Sequence, residues 1–306
     1  MKVSVALACY NGEDYIGEQL LSIKEQTRPV DEVVISDDGS SDGTVSVVRS
    51  FIEQNGLSST WTLLQNEKNL GFAENFRSAI DSTTGDVFFL SDQDDLWVPD
   101  RVEKMTAVME RYGQIGVLNT EFVTFSKREE LQALSPDPGD EAGPEQIPFH
   151  RHTRYLQAPG CVMCVRRTFY ESVRENWFQG WAHDEFLWCT AVLTGKNFRW
   201  KYDSLLRRTH EKQTSGHLGH SREKRILYLE TQRKSSECLL RMAQEKRMPR
   251  KAVTLLQKNC KMYRYRLRLV RDKKRSVAFP LLLYLGYYAS ARSYPVELQM
   301  AWKGKV

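Results

Sequence analysis

The chain has 306 residues, 41% hydrophobic and 27% charged, which is enough to bury a full core and is ordinary for a soluble globular protein. Val3–Ala8 is apolar but runs straight into Cys9-Tyr10-Asn11-Gly12 with no cleavage pattern. The longest uncharged run, Ser276–Ala291, has 16 residues interrupted by Pro280 and Gly286, short of the roughly 20 that a membrane span needs, so the expectation is a cytoplasmic protein. The net charge of +5 conceals an asymmetry: residues 246–275 carry 13 Lys or Arg against one acid, Asp272, so that segment is +12 and the rest of the chain −7. Six scattered cysteines outside any secretory context are expected as free thiols.

In chain order, Val3–Ala8 reads as a strand, and Ile16, Leu20 and Ile23 then recur at helical spacing. Glu32–Ser36 is a second strand, followed by a helix carrying Val48 and Ile52. Trp61–Gln65 is a third strand and Phe72–Asp81 a helix. Val87–Leu90 is a fourth strand, and Val102, Met105 and Met109 mark the next helix. This βαβ alternation predicts an α/β fold with a mostly parallel sheet covered on both faces, with ligands bound beyond the carboxyl ends of the strands. Ser135–Pro148 reads as a long surface loop. Cys161–Val165 reads as a strand that points Cys161 and Cys164 to opposite faces, which favours core packing over a metal or redox pair. From Ser221 onward the pattern is helical and charged, so the chain divides into residues 1–220 and a helical, basic extension at 221–306.

Polar clusters follow three of the four strands: Cys9–Glu13, Asp37–Gly43 and Asp92–Asp95. Three carboxylates within the four residues Asp92-Gln93-Asp94-Asp95 repel one another, and a hard divalent cation with oxygen ligands relieves that repulsion. A solvated turn explains a bare DxD equally simply, and Asp100 before Arg101 has the position of a helix cap. Asp37-Asp38-Gly39-Ser40 is open to two readings, a tight turn or a pocket whose carboxylate accepts from a nucleobase or ribose.

The ordered set Val3–Gly12, Gln26-Thr27, Val33–Thr44, Asn69–Asn75, Gly85-Asp86 and Asp92–Asp95 closely resembles the family 2 glycosyltransferases over roughly residues 1–220. Gly160–Met163 and His183-Asp184 resemble its bacterial rhamnosyltransferase-like members. The resemblance implies a GT-A fold (a Rossmann-like, nucleotide-binding mixed sheet covered by helices), a nucleotide diphosphate-sugar donor, Mg²⁺ or Mn²⁺, and inversion at the anomeric carbon. It also implies a glycan or lipid-linked glycan acceptor in cell-surface polysaccharide or glycolipid synthesis. Carried over by position, Asp38 reads the nucleobase with Tyr10, Asn11 and Glu13 lining the same pocket, and Cys9, Asn69, Gly71, Asp92 and Gly160 complete the donor side. Asp92, Asp94 and His210 form the metal set, with Asp94 the stronger ligand, and Asp184 is the catalytic base. His183 replaces the acidic residue that often precedes the base, so its role is open, and capping of the following helix is the alternative for Asp184. The other histidines, His150, His152, His217 and His220, have no metal-site spacing.

Val253, Leu256, Cys260, Tyr263, Leu267 and Val270 form an apolar stripe on a helix otherwise rich in Lys and Arg. A basic amphipathic helix of this kind either lies on an anionic membrane, with residues 246–291 in peripheral contact at its inner face, or packs within the protein. No base-stacking aromatic face or known module accompanies the charge, so nucleic acid is not expected. A sugar nucleotidylyltransferase would open with a glycine-rich loop after the first strand, where this chain has Cys9–Gly12. A non-catalytic nucleotide-sugar-binding protein is the remaining alternative, against which Asp92, Asp94 and Asp184 all stand.

Overall fold

The computed structural model describes residues 1–133, 136, 137, 139, 142–210 and 221–303. Part of the expected loop at 135–148, and His217 and His220, lie outside the described residues. Two compact units emerge, one of Met1–Ile147 with Leu156–Glu211, the other of Pro148–Tyr155 with Lys212–Val306.

In the first unit, β1 (Val3–Cys9), α1 (Ile16–Lys24), β2 (Glu32–Asp37), α2 (Thr44–Gln54), β3 (Trp61–Gln65), α3 (Phe72–Ser82) and β4 (Val87–Ser91) follow the alternation read from the sequence. Continuous apolar strands are buried on both faces: Val3, Val5, Ala6 and Leu7 of β1 and Val87–Leu90 of β4 have no exposed surface. Helix α1 turns Ile16, Leu20 and Ile23 inward, as their spacing requires. Then come β5 (Leu96–Trp97), α4 (Arg101–Arg111), β6 (Val117–Phe125), β7 (Glu145–Gln146), β8 (Met163–Arg166), α5 (Arg167–Val173), α6 (His183–Leu193) and β9 (Asn197–Arg208).

The nine-stranded sheet runs β3-β2-β1-β4-β8-β6-β9-β5, with β7 beside β9. Strands β3, β2, β1 and β4 are parallel, but β8 is antiparallel to both β4 and β6. The sheet is therefore mixed: parallel across its first half, where helical crossovers join the strands, antiparallel about β8, and parallel again where β9 lies beside β6. Cys161 departs from the expected strand: it sits in a single 3₁₀ turn, Gly160–Val162, and only Cys164 belongs to β8. Both are buried in the core.

The second unit is helical: α7 (Arg222–Glu245), α8 (Arg250–Val270), α9 (Ala278–Leu282) and α10 (Ser293–Lys303). Ser221 caps α7 by accepting from the Lys224 amide, and Pro249 opens α8. The stripe on α8 does not face outward. Leu256, Cys260, Tyr263, Leu267 and Val270 are buried, several of them in one cluster with Leu229, Val277, Leu281, Tyr288 and Met300. With the stripe buried, Arg264 of α8 and Arg271 just beyond its end pair on the surface, with Glu237 at 3.0 Å and Glu230 at 3.3 Å. No helix among the described residues is long and apolar enough to cross a membrane.

Beneath this cluster lies a buried charge group. Glu297, fully enclosed, accepts from the Arg266 guanidinium at 2.6 and 3.0 Å and from Arg225 Nε at 2.9 Å. Glu297→Ala would strand Arg266 in the interior without its carboxylate, and the expected loss is about 3–5 kcal/mol. Denaturant melts of the variant check this; a loss near the 0–1 kcal/mol of a surface pair would refute it.

Candidate active site

The carboxyl ends of β1, β2 and β4 lie side by side, because Cys9 pairs with Asp37 and Leu7 with Ser91 across the parallel ladders. The three polar clusters are therefore brought to one edge. After β1 the chain turns through Asn11, at φ +47°, whose amide donates to Ser40 Oγ at 2.9 Å and whose Oδ1 accepts from the Ser41 amide at 2.8 Å. Glu13 accepts from the Gly43 amide at 2.5 Å. Asn11 and Glu13 thus tie the first loop to the second, while the Tyr10 ring is exposed. Cys9 is different: its thiol is buried toward Asp37, and burial raises its pKa.

Asp38 is buried and accepts three hydrogen bonds from one loop, from Asn66 Nδ2 at 3.0 Å, the Leu70 amide at 2.8 Å and the Gly71 amide at 2.9 Å. Asn69 Oδ1 also accepts from the Gly71 amide, and Gly71 takes φ +85°, a conformation that favours glycine. Asn75 braces this corner by donating to the carbonyls of Ser36 and Cys9. The Asn69–Gly71 loop is thereby fastened to β2.

The fourth strand delivers the acids. Gln93 fixes their loop: its Oε1 accepts from the Tyr10 amide at 2.8 Å and its Nε2 donates to the Tyr10 carbonyl at 3.1 Å. This side chain fills the space beside Gly12, where a Cβ would lie 2.3 Å from Gln93 Oε1. Burial first, then the negative charges of Asp95 and Asp94, push Asp92 well above the usual carboxylate range. Burial and Asp94 push Asp95 up to about 7. Asp95 Oδ1 accepts from the Arg208 amide at 3.1 Å, but its Oδ2 is buried without a partner.

The expected metal set is divided between two neighbouring groups. Asp94 Oδ2 lies 2.7 Å from His210 Nε2, and the His210 ring stacks on Tyr15 at 4.6 Å. Asp92 instead groups with Asp95 and the Cys161 thiol, all within 4.8 Å of one another. Cys161 therefore faces carboxylates as well as core, and burial raises its pKa further. Carboxylate and imidazole donors suit a hard or borderline divalent ion, and the orphaned Asp95 Oδ2 and His210 Nδ1 mark a polar group set not satisfied by protein alone. Arg207 offsets part of the negative charge on Asp92 and Asp95. Arg208 donates to the Asp94 carbonyl at 3.0 Å and to Glu18 at 2.6 Å.

Asp184 stands in the first turn of α6. The residue at the cap position is Ala182, not Asp184, whose Oδ1 accepts from the adjacent Glu185 amide at 2.7 Å. The Gly160 amide also bonds this carboxylate, yet burial dominates and raises its pKa. Gly160 has no room for a side chain: a Cβ would lie 2.6 Å from His183 Nε2 and 3.3 Å from Asp184 Cβ. His183 stacks on Phe76 at 3.7 Å, and burial pushes its pKa down to about 3, so it is neutral at physiological pH. Asp184 lies close enough to Asp92 to raise the latter's pKa. Asp100, likewise, occupies a cap position but directs its carboxylate to Lys104 and Tyr202, each at 2.6 Å.

Asp95 links this electrostatics to stability. Its folded value of about 7 exceeds the unfolded value of about 3.9, so between these pH values the folded state holds the extra proton. Stability is therefore fully present below pH 3.9 and lost as pH rises through 7. Asp95→Asn keeps the acceptor for Arg208 while removing the charge. In chelator-treated protein the variant is expected to lose less melting temperature between pH 5 and pH 8 than the parent. Identical losses would rule out Asp95 as a source.

The Glycosyl transferase family 2 sequence profile matches residues 4–170, more than half of the chain. The dTDP-rhamnosyl transferase RfbG of Shigella flexneri is 38% identical over 101 residues, 32% of this chain and 34% of RfbG. The broader matches to curated relatives span little more than half of those proteins' length. Among solved structures, Staphylococcus aureus TarS 1–349 in complex with UDP-GlcNAc aligns at TM-score 0.61 and 18% identity, covering 100% of this chain and 93% of that one. The mannosyltransferase PcManGT of Pyrobaculum calidifontis, in complex with GDP-Man and Mn²⁺, aligns at 0.54 and 17% identity, covering 99% and 88%. These likenesses show a GT-A fold. The chain belongs to glycosyl transferase family 2.

Proposed function

We propose that the chain transfers a sugar from a nucleotide diphosphate donor to an acceptor hydroxyl, with inversion and with a divalent ion, in bacterial cell-surface polysaccharide or glycolipid synthesis. The observation that carries this reading is Asp184: a buried carboxylate of raised pKa, electrostatically coupled to the Asp92 cluster at the ligand-binding edge of the sheet. The transferase domain is assigned to residues 1–220, with 221–306 as its helical extension.

The donor's base and ribose are assigned to the loop of Tyr10, Asn11 and Glu13, with the exposed Tyr10 ring as a stacking face. Asp38 already accepts three hydrogen bonds, and a carboxylate offers about four acceptor positions, so one is left for a base N–H. Asn69 and Gly71 act through the loop that Asp38 holds, and Gly160 through the close approach it permits to His183 and Asp184. The nucleotide sugars held by TarS and PcManGT support this class of donor, and RfbG supports a deoxysugar as one candidate.

Mg²⁺ or Mn²⁺, held by Asp94 and His210 with Asp92 alongside, would supply Lewis-acid charge to the departing diphosphate. Asp184 removes the acceptor proton as the hydroxyl oxygen attacks the anomeric carbon from the side opposite the diphosphate. The bond from that carbon to the diphosphate oxygen breaks, and the nucleotide diphosphate leaves with the electron pair. One carboxylate base is sufficient for this inversion, and no covalent nucleophile is required. Neutral His183 does not compete for the proton; it walls the base against Phe76. A lipid-linked glycan acceptor accords with peripheral contact between residues 246–291 and an anionic membrane.

Asp184→Asn is expected to lower turnover by roughly 10²–10⁴-fold while leaving donor affinity nearly unchanged. Single-turnover assays with separate donor titrations check this, and a parallel loss of affinity would assign Asp184 to donor binding instead. Because the base must be ionised, the acid limb of kcat/KM is expected above the ordinary Asp value of about 3.9. Asp94→Ala is expected to remove the Mn²⁺-dependent rise in melting temperature produced by a nucleotide diphosphate. Full activity of that variant in a chelator would show that Asp94 holds no required ion.

A further inference from the structure

The helical unit buries one apolar surface and leaves another uncovered. At α9 and the residue before it, Val277 and Leu281 turn inward and are buried, four residues apart as one helical turn demands. Phe279 and Leu283, also four apart, turn the other way and are 80% and 81% exposed, with Leu282 between them at 45%. Trp302, on α10, is 48% exposed and carries the Arg275 guanidinium 5.0 Å from its ring centre. A helix apolar on all sides is ordinarily buried, so an uncovered outer face on α9 calls for an occupant.

The residues leading into α9 indicate its chemistry. Arg271, Lys273, Lys274 and Arg275 are all exposed, with Asp272 the single acid among them, already paired to Arg271 at 2.9 Å. With Arg271 also paired to Glu230, Lys273, Lys274 and Arg275 are the exposed cations suited to an anionic surface. Two copies of the same face would bring like charges together, which opposes a symmetric dimer. Side chains as exposed as Phe279 and Leu283 stand out from their surroundings, and a bilayer receives such projections without a matching pocket. Trp beside Arg is suited to the boundary between headgroups and acyl chains. The platform behind is fixed: Tyr288 and the inner face of α10 enclose Glu297, bonded to both Arg266 and Arg225.

From this juxtaposition we infer that α9 is a membrane-docking knob, with Phe279, Leu282 and Leu283 entering the acyl boundary of an anionic leaflet and residues 271–275 engaging its headgroups. The proposal deepens the membrane location given above and moves the contact from the stripe of α8, which is buried, to the outer face of α9 and its basic approach. It does not depend on the transfer chemistry.

The test is co-sedimentation of the full chain with phosphatidylcholine vesicles, with and without phosphatidylglycerol, across a salt series. The parent chain is expected to bind the phosphatidylglycerol vesicles preferentially, and less as salt shortens the range of the attraction. The double variant Phe279→Ser/Leu283→Ser is expected to bind at least about tenfold more weakly, having lost two inserted apolar side chains. Lys273→Gln/Lys274→Gln/Arg275→Gln is expected to abolish the preference for the anionic lipid. Melting curves and nucleotide diphosphate binding, both expected to match the parent, establish that the variants are folded. Equal vesicle binding by parent and Ser variant would overturn the proposal. So would no vesicle binding by a parent chain that sediments as a dimer dissolved by the same substitutions, which would make the face a contact between copies. Vesicle binding that persists while Asp184→Asn leaves transfer unchanged would refute the catalytic reading alone.

Discussion

Asp92, Asp94 and Asp95 are fixed within four residues at the end of a buried strand, and the surrounding protein does not fully satisfy them. Burial withdraws the water that would screen these carboxylates, and each raises the cost of ionising the next. Much of the neighbouring architecture can be understood as a response. Arg207 brings positive charge close, the Arg208 amide occupies one oxygen of Asp95, and His210 meets Asp94 directly. Strand β9 runs to Arg208 and so carries this basic sequence along the sheet to the acids. Asp95 Oδ2 and His210 Nδ1 are left without partners among the described residues.

The loops around the acids are organised by side chains acting on backbone. Asp38 gathers two successive amides and an Asn, Asn11 and Glu13 each take an amide from the next loop, and Gln93 exchanges two bonds with Tyr10. Loops held in this way are set before a ligand arrives, so less of the binding energy is lost to ordering them. Gly71 and Gly12 serve the same end by opposite means. Gly71 supplies a backbone angle that other residues resist, whereas Gly12 leaves the volume that Gln93 occupies.

The first half of the sheet was legible because its strands are continuous apolar runs and its helices show clear periodicity. The Cys9–Glu13, Asp37–Gly43 and Asp92–Asp95 clusters were legible as a group for the same reason, since parallel strands bring their carboxyl ends together. Strand β9 was harder to see. Phe198, Trp200 and Tyr202 alternate inward against exposed Arg199 and Lys201, a period-two pattern hidden by its charge. Gln93 occupies the unspecified position of the DxD pattern, and its bonds to Tyr10 cross 83 residues, so local sequence gave no sign of them. Cys161 reads as strand because apolar residues surround it, but it sits in the 3₁₀ turn Gly160–Val162 with its thiol near Asp92 and Asp95. The α8 stripe announced a helix, but the cover came from residues 229 and 277–301, and periodicity does not reveal a distant partner.

The Gln93–Tyr10 exchange also has a consequence for how this scaffold can be altered. Two bonds to the main chain join the loop assigned to the nucleobase to the loop carrying the acids, and the space beside Gly12 is filled by the same side chain. The two loops therefore share one hinge, the Gln93 side chain. Rebuilding residues 10–13 to accept another base displaces Gln93, and with it the spacing of Asp92 and Asp94. On the proposed assignment, selectivity for the base and geometry at the diphosphate would be coupled through Gln93, and a change of donor would call for compensating changes in both loops.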